Sequence, residues 1–249
     1  MILIKNKIAI ENMRVAGKAL AQILHEIKKE INVGVSTLQI DFIIEQKMRK
    51  KGLIPVCKGY SGYKYATCIS LNDVIVHGIP NKKVILKSGD FVKIDVVGSY
   101  NGYCADLTRY FFVENVKGVV KKMAQTVQRA LDCAINAALP GNRVSDLSAC
   151  IQKEVENRGF NVVRKFAGHG IGKSIHEGPE IPNYGNPGCG FVLKEGMTLA
   201  IEPMITQHGY DVKILEDGWT AKTADGGLSA HVEDTVLITE NGPEVLTRI

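Results

Sequence analysis

The sequence lacks the features expected of a membrane-spanning or secreted protein. No apolar run reaches the roughly 18 residues that a transmembrane helix needs, and the first segment carries Lys5 and Lys7 where a signal peptide has an uninterrupted apolar core. The six cysteines include no CxxC pair, and a chain of 249 residues can bury a core without disulfides. We therefore expect a cytoplasmic protein that has no membrane partner and keeps its thiols reduced.

A strong charge asymmetry and low-complexity linkers are absent as well. The formal net charge is only +5, and basic residues are scattered apart from short clusters such as residues 47–51. This charge permits loose contact with an anionic partner such as the ribosome but does not favour sequence-specific nucleic-acid binding. Because no linker marks a boundary, we expect a single domain over residues 1–249. We also expect a monomer.

Two pairs of helices organise what is present. Apolar residues recur at steps of three and four over residues 9–30, and Ser36 precedes Gln39 as in a capping box that opens a second helix ending at Gly52. The same plan predicts a helix over residues 120–137 and another from Ser145 to near Gly159. The segments VSTL (35–38) and VSDL (144–147) occupy matching places, which predicts two similar halves.

Segments typical of strands follow each helix pair. In the first half they cover residues 65–70, 73–77, 90–98 and 103–113, and in the second half residues 161–166, 197–205 and 230–238. Two strands joined by a tight turn are antiparallel. The pattern therefore favours an α+β domain over a doubly wound parallel sheet.

One predicted hairpin, residues 93–112, carries an aspartate in each arm. Asn101-Gly102 favours a two-residue type I′ turn, whose register pairs Val97 with Asp106 and Asp95 with Thr108. Asp95 and Asp106 then lie diagonally on the same face, unless a bulge at Gly98 breaks the register. The residues alone leave two interpretations open: two exposed acids on a solvated face, or a buried pair that shares a cation.

Other acids and histidines occur in apolar or glycine-rich surroundings. Glu202 and Glu233 each interrupt an apolar strand, and His77 precedes a glycine. The segment 166–184 contains His169 and His176 among closely spaced glycines, a density that favours a tight loop. Each histidine, taken singly, favours a structural role over a functional one.

Together these segments resemble the methionine aminopeptidase family, type I, of bacteria and organelles. GHGIG (168–172), then His176 and IPNY (181–184) match the type I motif, and the resemblance extends in order and spacing from His77 to Glu233. The short interval between Glu202 and Glu233 leaves no room for the type II insertion, and an N-terminal extension is lacking. The resemblance implies the pita-bread fold, a curved antiparallel sheet with helices on its outer face and pseudo-two-fold halves.

The resemblance also implies a dinuclear metal site and an activity. Its metal ligands fall on Asp95, Asp106, His169, Glu202 and Glu233. Four carboxylates and one imidazole suit Co, Mn, Fe or Zn without selecting among them. The implied reaction removes the N-terminal methionine from nascent polypeptides by attack of a hydroxide that bridges the two ions, with Glu202 handling a proton. The implied substrate contacts are His77, near the amide nitrogen, and His176, near the scissile bond.

The methionine pocket and a second ion site follow from the same resemblance. Polarisable walls suited to a thioether are supplied by Cys57, Tyr60, Tyr63, Cys68 and Trp219. Ile175 stands where many relatives have Phe, which implies a slightly wider pocket. Asn72 and Ser229 match the position of a monovalent cation in some relatives.

Two rival functions remain. Xaa-Pro aminopeptidases and prolidases share the fold and the ligands, but they carry a large additional N-terminal domain, whereas helical periodicity here begins near residue 9. A non-catalytic pita-bread adaptor usually loses metal ligands, whereas this sequence keeps all five.

Overall fold

The helices form the two consecutive pairs that the periodicity predicts. In the computed structural model, which describes residues 2–249, they are α1 (Lys7–Ile27), α2 (Thr37–Lys50), α3 (Gly118–Ala137) and α4 (Val144–Glu156). The capping box is confirmed, since the Gln39 N–H donates to the Ser36 hydroxyl at 3.2 Å and the Ser36 N–H donates to the Gln39 side chain at 2.9 Å. Within residues 2–249, no helix is both long and apolar enough to cross a bilayer.

The strands pair antiparallel throughout the described chain. In order, β1 to β15 are Ile54–Pro55, Thr67–Leu71, Val74–Val76, Phe91–Tyr100, Tyr103–Phe112, Asn161–Val162, Ala167–Gly170, Glu177–Pro182, Thr198–Ile201, Met204–Thr206, Val212–Ile214, Ala221–Thr223, Ser229–His231, Glu233–Thr239 and Gly242–Val245. Within residues 2–249, nine of them form one sheet in the order β1-β4-β5-β14-β9-β7-β8, with β2 beside β4 and β15 beside β14. The α+β prediction is confirmed.

The hairpin of β4 and β5 has the register that its turn predicts. Asn101 and Gly102 have φ of 47° and 78°, as a type I′ turn requires. The ladder is unbroken from the turn to Phe91 and pairs Val97 with Asp106, without a bulge at Gly98. Asp95 and Asp106 therefore lie on the same face.

The predicted loop at residues 166–184 is wrong, because it contains β7 and β8. A Cβ atom placed on Gly168 would collide with the carbonyl oxygen of Ala200 on β9, and one placed on Gly170 would collide with that of Gly178. These glycines let β7 approach both neighbouring strands closely. Their density marks tight strand packing rather than irregular backbone.

The two halves repeat one local arrangement of hydrogen bonds. Leu86 N donates to Val35 O at 2.9 Å, and Leu193 N donates to Asn142 O at 2.7 Å. This repeat superposes residue 35 on residue 142, so the structural counterpart of Ser36 is Arg143.

The sequence match between VSTL and VSDL is therefore two residues out of register, and α4 begins at Val144 rather than after Ser145. Arg143 is the N-cap residue of α4, and its N–H donates to the Asp146 carboxylate at 2.6 Å. The same offset in residue number relates Phe91, at the start of β4, to Thr198, at the start of β9, and it relates Asp95 to Glu202. An acid therefore occurs at equivalent positions of the two halves.

Apolar packing holds each helix pair against its part of the sheet. One buried cluster joins α1 and α2 to β4 and β5, including Leu20, Met48 and Val96, and another joins α3 and α4 to β9 and β14. Gly17 of α1 packs against the C-terminal segment, where an added Cβ would collide with the carbonyl oxygen of Leu246. This contact fixes α1 to the end of the chain.

We expect Gly17→Ala to lower the free energy of unfolding by about 1–3 kcal/mol, because the methyl group must displace backbone atoms. Alanine is intrinsically the better helix former, so helix propensity alone would raise the free energy of unfolding. A decrease would therefore come from the close contact with Leu246. Gly118→Ala in the first turn of α3 is the matched control, since a Cβ there meets open space. Urea denaturation measures both, and a Gly17→Ala variant as stable as Gly118→Ala would contradict the prediction.

Candidate metal centre and active site

Five neighbouring strands each bring one potential metal ligand to the same hollow. The sheet order places β4, β5, β14, β9 and β7 side by side. Asp95, Asp106, Glu233 and His169 lie on β4, β5, β14 and β7, and Glu202 directly follows β9. Residues far apart in sequence therefore converge because of strand order.

Three of the five predicted ligands lie close enough together to share an ion. One ligand atom each of Asp106, His169 and Glu233 lie within 4.8 Å of one another. His169 Nε2 lies 3.4 Å from Glu202 Oε1. Asp95 is close enough to act electrostatically on the carboxyl groups of Asp106, Glu202 and Glu233. All five predicted ligands thus face one another.

Three carboxylate oxygens of this hollow have no partner in the part of the protein that the structure describes. Asp95 Oδ1, Asp106 Oδ1 and Glu233 Oε1 are buried and have no hydrogen-bond partner within residues 2–249. A buried charged oxygen without a partner costs several kcal/mol or more, so such groups are normally paired or coordinate metals. An oxygen-rich donor set with unshared lone pairs fits divalent ions.

The protonation energetics point the same way. Burial, then the charge of a neighbouring carboxylate, raises the pKa of Asp106, of Glu202 and of Glu233 well above the usual carboxyl range. Burial, then repulsion from His176, lowers the pKa of His169 to about 4. His169 is therefore a neutral imidazole near pH 7, which is the form that binds metals.

Hydrogen bonds outside the hollow orient the ligands. Thr108 Oγ1 donates to Glu233 Oε2 at 2.9 Å, and Arg109 Nη1 donates to the backbone oxygen of Glu233 at 2.7 Å. His169 Nδ1 lies 2.9 Å from Gly170 O, a contact that fits an Nδ1–H donor and turns Nε2 towards the acids.

Two further predicted histidines flank the acids. The His176 ring lies 4.4 Å from the His169 ring, and His176 Nδ1 lies 2.9 Å from the Tyr60 hydroxyl. His77 adopts a left-handed φ of 59° and packs edge-on against Phe166. Burial, then repulsion from His231 and His176, lowers the pKa of His77 to about 4. Both imidazoles are free to contact a substrate.

A cavity of about 240 Å³ opens directly onto the acids. Its walls include all five residues predicted for the methionine pocket: Cys57, Tyr60, Tyr63, Cys68 and Trp219. The Tyr63 and Trp219 rings lie 4.9 Å apart, and Ile175 also lines the cavity. The lining thus combines apolar and aromatic side chains with the five predicted metal ligands.

Sequence reasoning did not assign His231 to the site. The residue is buried, its Nε2 lies 3.4 Å from Glu202 Oε2, and that nitrogen has no hydrogen-bond partner within the described residues. Strand alternation puts His231 and Glu233, two residues apart, on the same face, and this is the signal that could have assigned it. Met204 and Phe166 also line the cavity, without any comparable signal in the sequence.

The monovalent cation expected near Asn72 and Ser229 does not fit this chain. Lys93 Nζ donates to Asn72 O at 3.0 Å, to Ser229 O at 3.2 Å and to Ser229 Oγ at 3.3 Å. The oxygens that would bind the ion already surround a buried ammonium. The sequence prediction took no account of Lys93, and we correct it here.

Comparison with known proteins decides the family. Residues 11–240 match the family described as Metallopeptidase family M24. The chain belongs to metallopeptidase family M24. The methionine aminopeptidase of Clostridium perfringens is 45% identical to it over 249 residues, which cover 100% of both chains.

Solved structures of M24 proteins extend the comparison to the fold. The methionine aminopeptidase of Thermotoga maritima matches with a TM-score of 0.98 at 46% identity, over 100% of both chains. The prolidase of Pyrococcus furiosus matches with a TM-score of 0.81 at 28% identity, over 99% of this chain and 65% of that one. The predicted resemblance and the pita-bread fold are confirmed. This M24 chain is a metallopeptidase whose full-length similarity is to methionine aminopeptidases.

We expect metal binding to release at least about one proton per chain at pH 7, because the raised carboxyl pKa values leave protons on the metal-free site that divalent ions displace. Affinity for Mn²⁺ should accordingly rise with pH. Calorimetric titration in two buffers of different ionisation enthalpy measures the release.

Glu154→Gln is the matched control for this titration, since Glu154 of α4 pairs with Arg158, just after the helix and outside the site. It should leave the proton release unchanged, whereas Glu233→Gln should reduce it. An apparent binding enthalpy that is independent of the buffer would contradict the prediction.

Proposed function

We propose that this M24 metallopeptidase removes the N-terminal methionine from nascent proteins. One observation supports the proposal most strongly. The five predicted metal ligands converge, and a cavity lined by thiols and aromatic rings opens onto them. The 45% full-length identity to a methionine aminopeptidase supports it. The site lacks the exposure expected of a solvated acidic face.

Two divalent ions would be held by Asp95, Asp106, His169, Glu202 and Glu233. The four carboxylates carry a charge of about −4 when ionised, which two such ions neutralise. Bound there, the ions would act as Lewis acids and lower the pKa of a water molecule. The donor set suits Mn, Fe, Co or Zn, because no thiolate is among the ligands to select a softer ion.

Glu202 is the group best placed to hold and transfer a proton. Its two carboxylate oxygens each lie 3.4 Å from an imidazole nitrogen, of His169 and of His231. In the metal-free protein, burial, then the charge of Asp95, raises the pKa of Glu202 well above the usual range. A carboxylate in this position can accept and return a proton. We assign it the role of general base and then acid.

His77 and His176 are placed to bind the peptide backbone. Burial lowers the pKa of His176, so its ring is neutral near pH 7 and can donate a hydrogen bond. The Tyr60 hydroxyl contacts Nδ1 of His176, which leaves Nε2 for the substrate. We assign His176 to the scissile carbonyl and His77 to the amide.

The pocket suits an unbranched thioether. Rings of Tyr63 and Trp219 and the thiols of Cys57 and Cys68 offer dispersion and sulfur-aromatic contacts, each of about 0.3–1.5 kcal/mol. Ile175 in place of an aromatic residue leaves room at the cavity wall. The expected substrate is therefore a peptide whose first residue is methionine.

We further propose that nascent chains meet the enzyme, as a monomer, in the cytoplasm, where the mildly basic surface allows loose contact with the ribosome. Co-sedimentation with ribosomes that is lost at high salt would support this contact, and co-sedimentation that is unaffected by salt would refute its electrostatic basis.

Peptide assays separate the proposed activity from its rivals. With added divalent metal, the enzyme should release methionine from Met-Ala-Ser and leave an Ala-Pro peptide intact. A prolidase-like enzyme would cleave Ala-Pro, and an adaptor would cleave neither. Either of those outcomes would overturn the proposal.

We expect His77→Ala and His176→Ala to reduce kcat about 10- to 1000-fold while the bound metal content stays that of the wild type. Neither imidazole is assigned to the ions, so elemental analysis should find no loss. His25→Ala, at the end of α1, is the control and should keep both properties. Loss of metal from either active-site variant would refute the assignment.

A further inference from the structure

Lys93 is a fully buried lysine that the proposed reaction does not use. It lies on β4 two residues before Asp95, and only 1% of it is exposed. Strand alternation places both side chains on the same face of the sheet. A buried ammonium at this depth is costly unless its donors are all paired.

The surroundings of Lys93 Nζ have the composition of a cation site. Its three neighbours are two backbone carbonyl oxygens and a hydroxyl oxygen, of Asn72 and Ser229, at 3.0 to 3.3 Å. Three acceptors match the three N–H donors of an ammonium group. The Phe91 ring adds a fourth contact, with its centroid 5.3 Å from Nζ. Backbone carbonyl oxygens of this kind also replace the hydration shell of monovalent metal ions in proteins.

The hydrogen bonds from Nζ to these three oxygen acceptors favour the protonated form of Lys93. The geometry of the acceptors identifies the site.

The oxygens around Nζ join two parts of the fold that reach the active site. Asn72 lies in the turn between β2 and β3 with a φ of 50°, and its carbonyl oxygen also accepts from Ser229 N at 3.0 Å. Ser229 begins β13, and its hydroxyl lies 2.9 Å from Val74 O. Chain positions just beyond this junction are His77, after β3, and His231, at the end of β13. The junction therefore lies close in sequence to two imidazoles that line the cavity.

We propose that the ammonium of Lys93 is a built-in substitute for a monovalent metal ion at the junction of Asn72 and Ser229. The same three oxygens cannot hold a second cation beside it, because two positive charges a few ångströms apart in a buried site repel strongly. The folded enzyme therefore needs neither Na⁺ nor K⁺ to hold the turn after β2 against β13. Removing the ammonium should convert the junction into a site that an inorganic monovalent ion can fill.

Thermal unfolding of the metal-loaded enzyme tests this proposal. Wild type and Lys93→Ala are compared in the chlorides of Na⁺, K⁺ and tetramethylammonium at equal ionic strength. The Tm of the wild type should be the same in all three salts. The Tm of Lys93→Ala should be lower than that of the wild type in tetramethylammonium and should rise by about 3 °C or more in Na⁺ or K⁺, because a ligand that binds only the folded state stabilises it.

Lys222→Ala is the matched control. Lys222 Nζ pairs with Asp73, beside the same turn, at 2.7 Å and is partly exposed. Its removal takes away a nearby positive charge but leaves the three oxygens around Lys93 Nζ in place. The control variant should remain insensitive to the identity of the cation. A response equal to that of Lys93→Ala would overturn the proposal, since it would reflect a general charge effect.

Crystals of wild type and Lys93→Ala in RbCl give an independent readout by anomalous scattering. We expect a Rb⁺ peak beside Asn72 O and Ser229 O in the variant and none there in the wild type. A peak in the wild type, or a Tm of Lys93→Ala that does not depend on the cation, would overturn the proposal. If Lys93→Ala does not fold in any of the salts, the shorter polar variant Lys93→Asn is measured in the same way and decides by the same criteria.

Discussion

Mutual repulsion among four carboxylates, two of them buried and two half-buried, is the constraint on which the rest of this structure depends. Asp95, Asp106, Glu202 and Glu233 face one hollow, and three of their oxygens have no protein donor within the described residues. Such an arrangement is stable only if the acids take up protons or share cations. The neutral His169 and the family M24 assignment both favour cations. The proposed substrate cavity opens onto these acids.

The duplicated fold explains how the acids are brought together. One local hydrogen-bond pattern occurs in both halves, and its offset in residue number also relates Asp95 to Glu202. The strands that follow add Asp106 and Glu233 as further acids from the two halves. On the same face, Lys93 brings its own positive charge to a junction of backbone oxygens beside the hollow. We thus propose that inorganic ions neutralise the carboxylates and that an ammonium group pairs with the carbonyl oxygens.

Local signals in the sequence predicted the local geometry well. Asn101-Gly102 has one favoured turn, and the turn determined which residues of β4 and β5 face each other. Tertiary contacts were harder: the glycines of β7 looked like a loop because the strands that crowd them lie elsewhere in the sequence. The repeat was placed two residues out of register because it was aligned on the similar segments VSTL and VSDL. The hydrogen-bond pattern that gives the correct register exists only in the folded chain. The environment of Lys93 depends on a turn and a strand more than a hundred residues apart, so nothing near it in the sequence revealed it.

Anomalous diffraction from crystals soaked in Mn²⁺ tests the central claim most directly. The account predicts two strong peaks enclosed by Asp95, Asp106, His169, Glu202 and Glu233, with the otherwise unpaired oxygens of Asp95, Asp106 and Glu233 directed at them. Density absent from the hollow, or Mn²⁺ bound only at surface carboxylates while the five side chains keep their present positions, would contradict it.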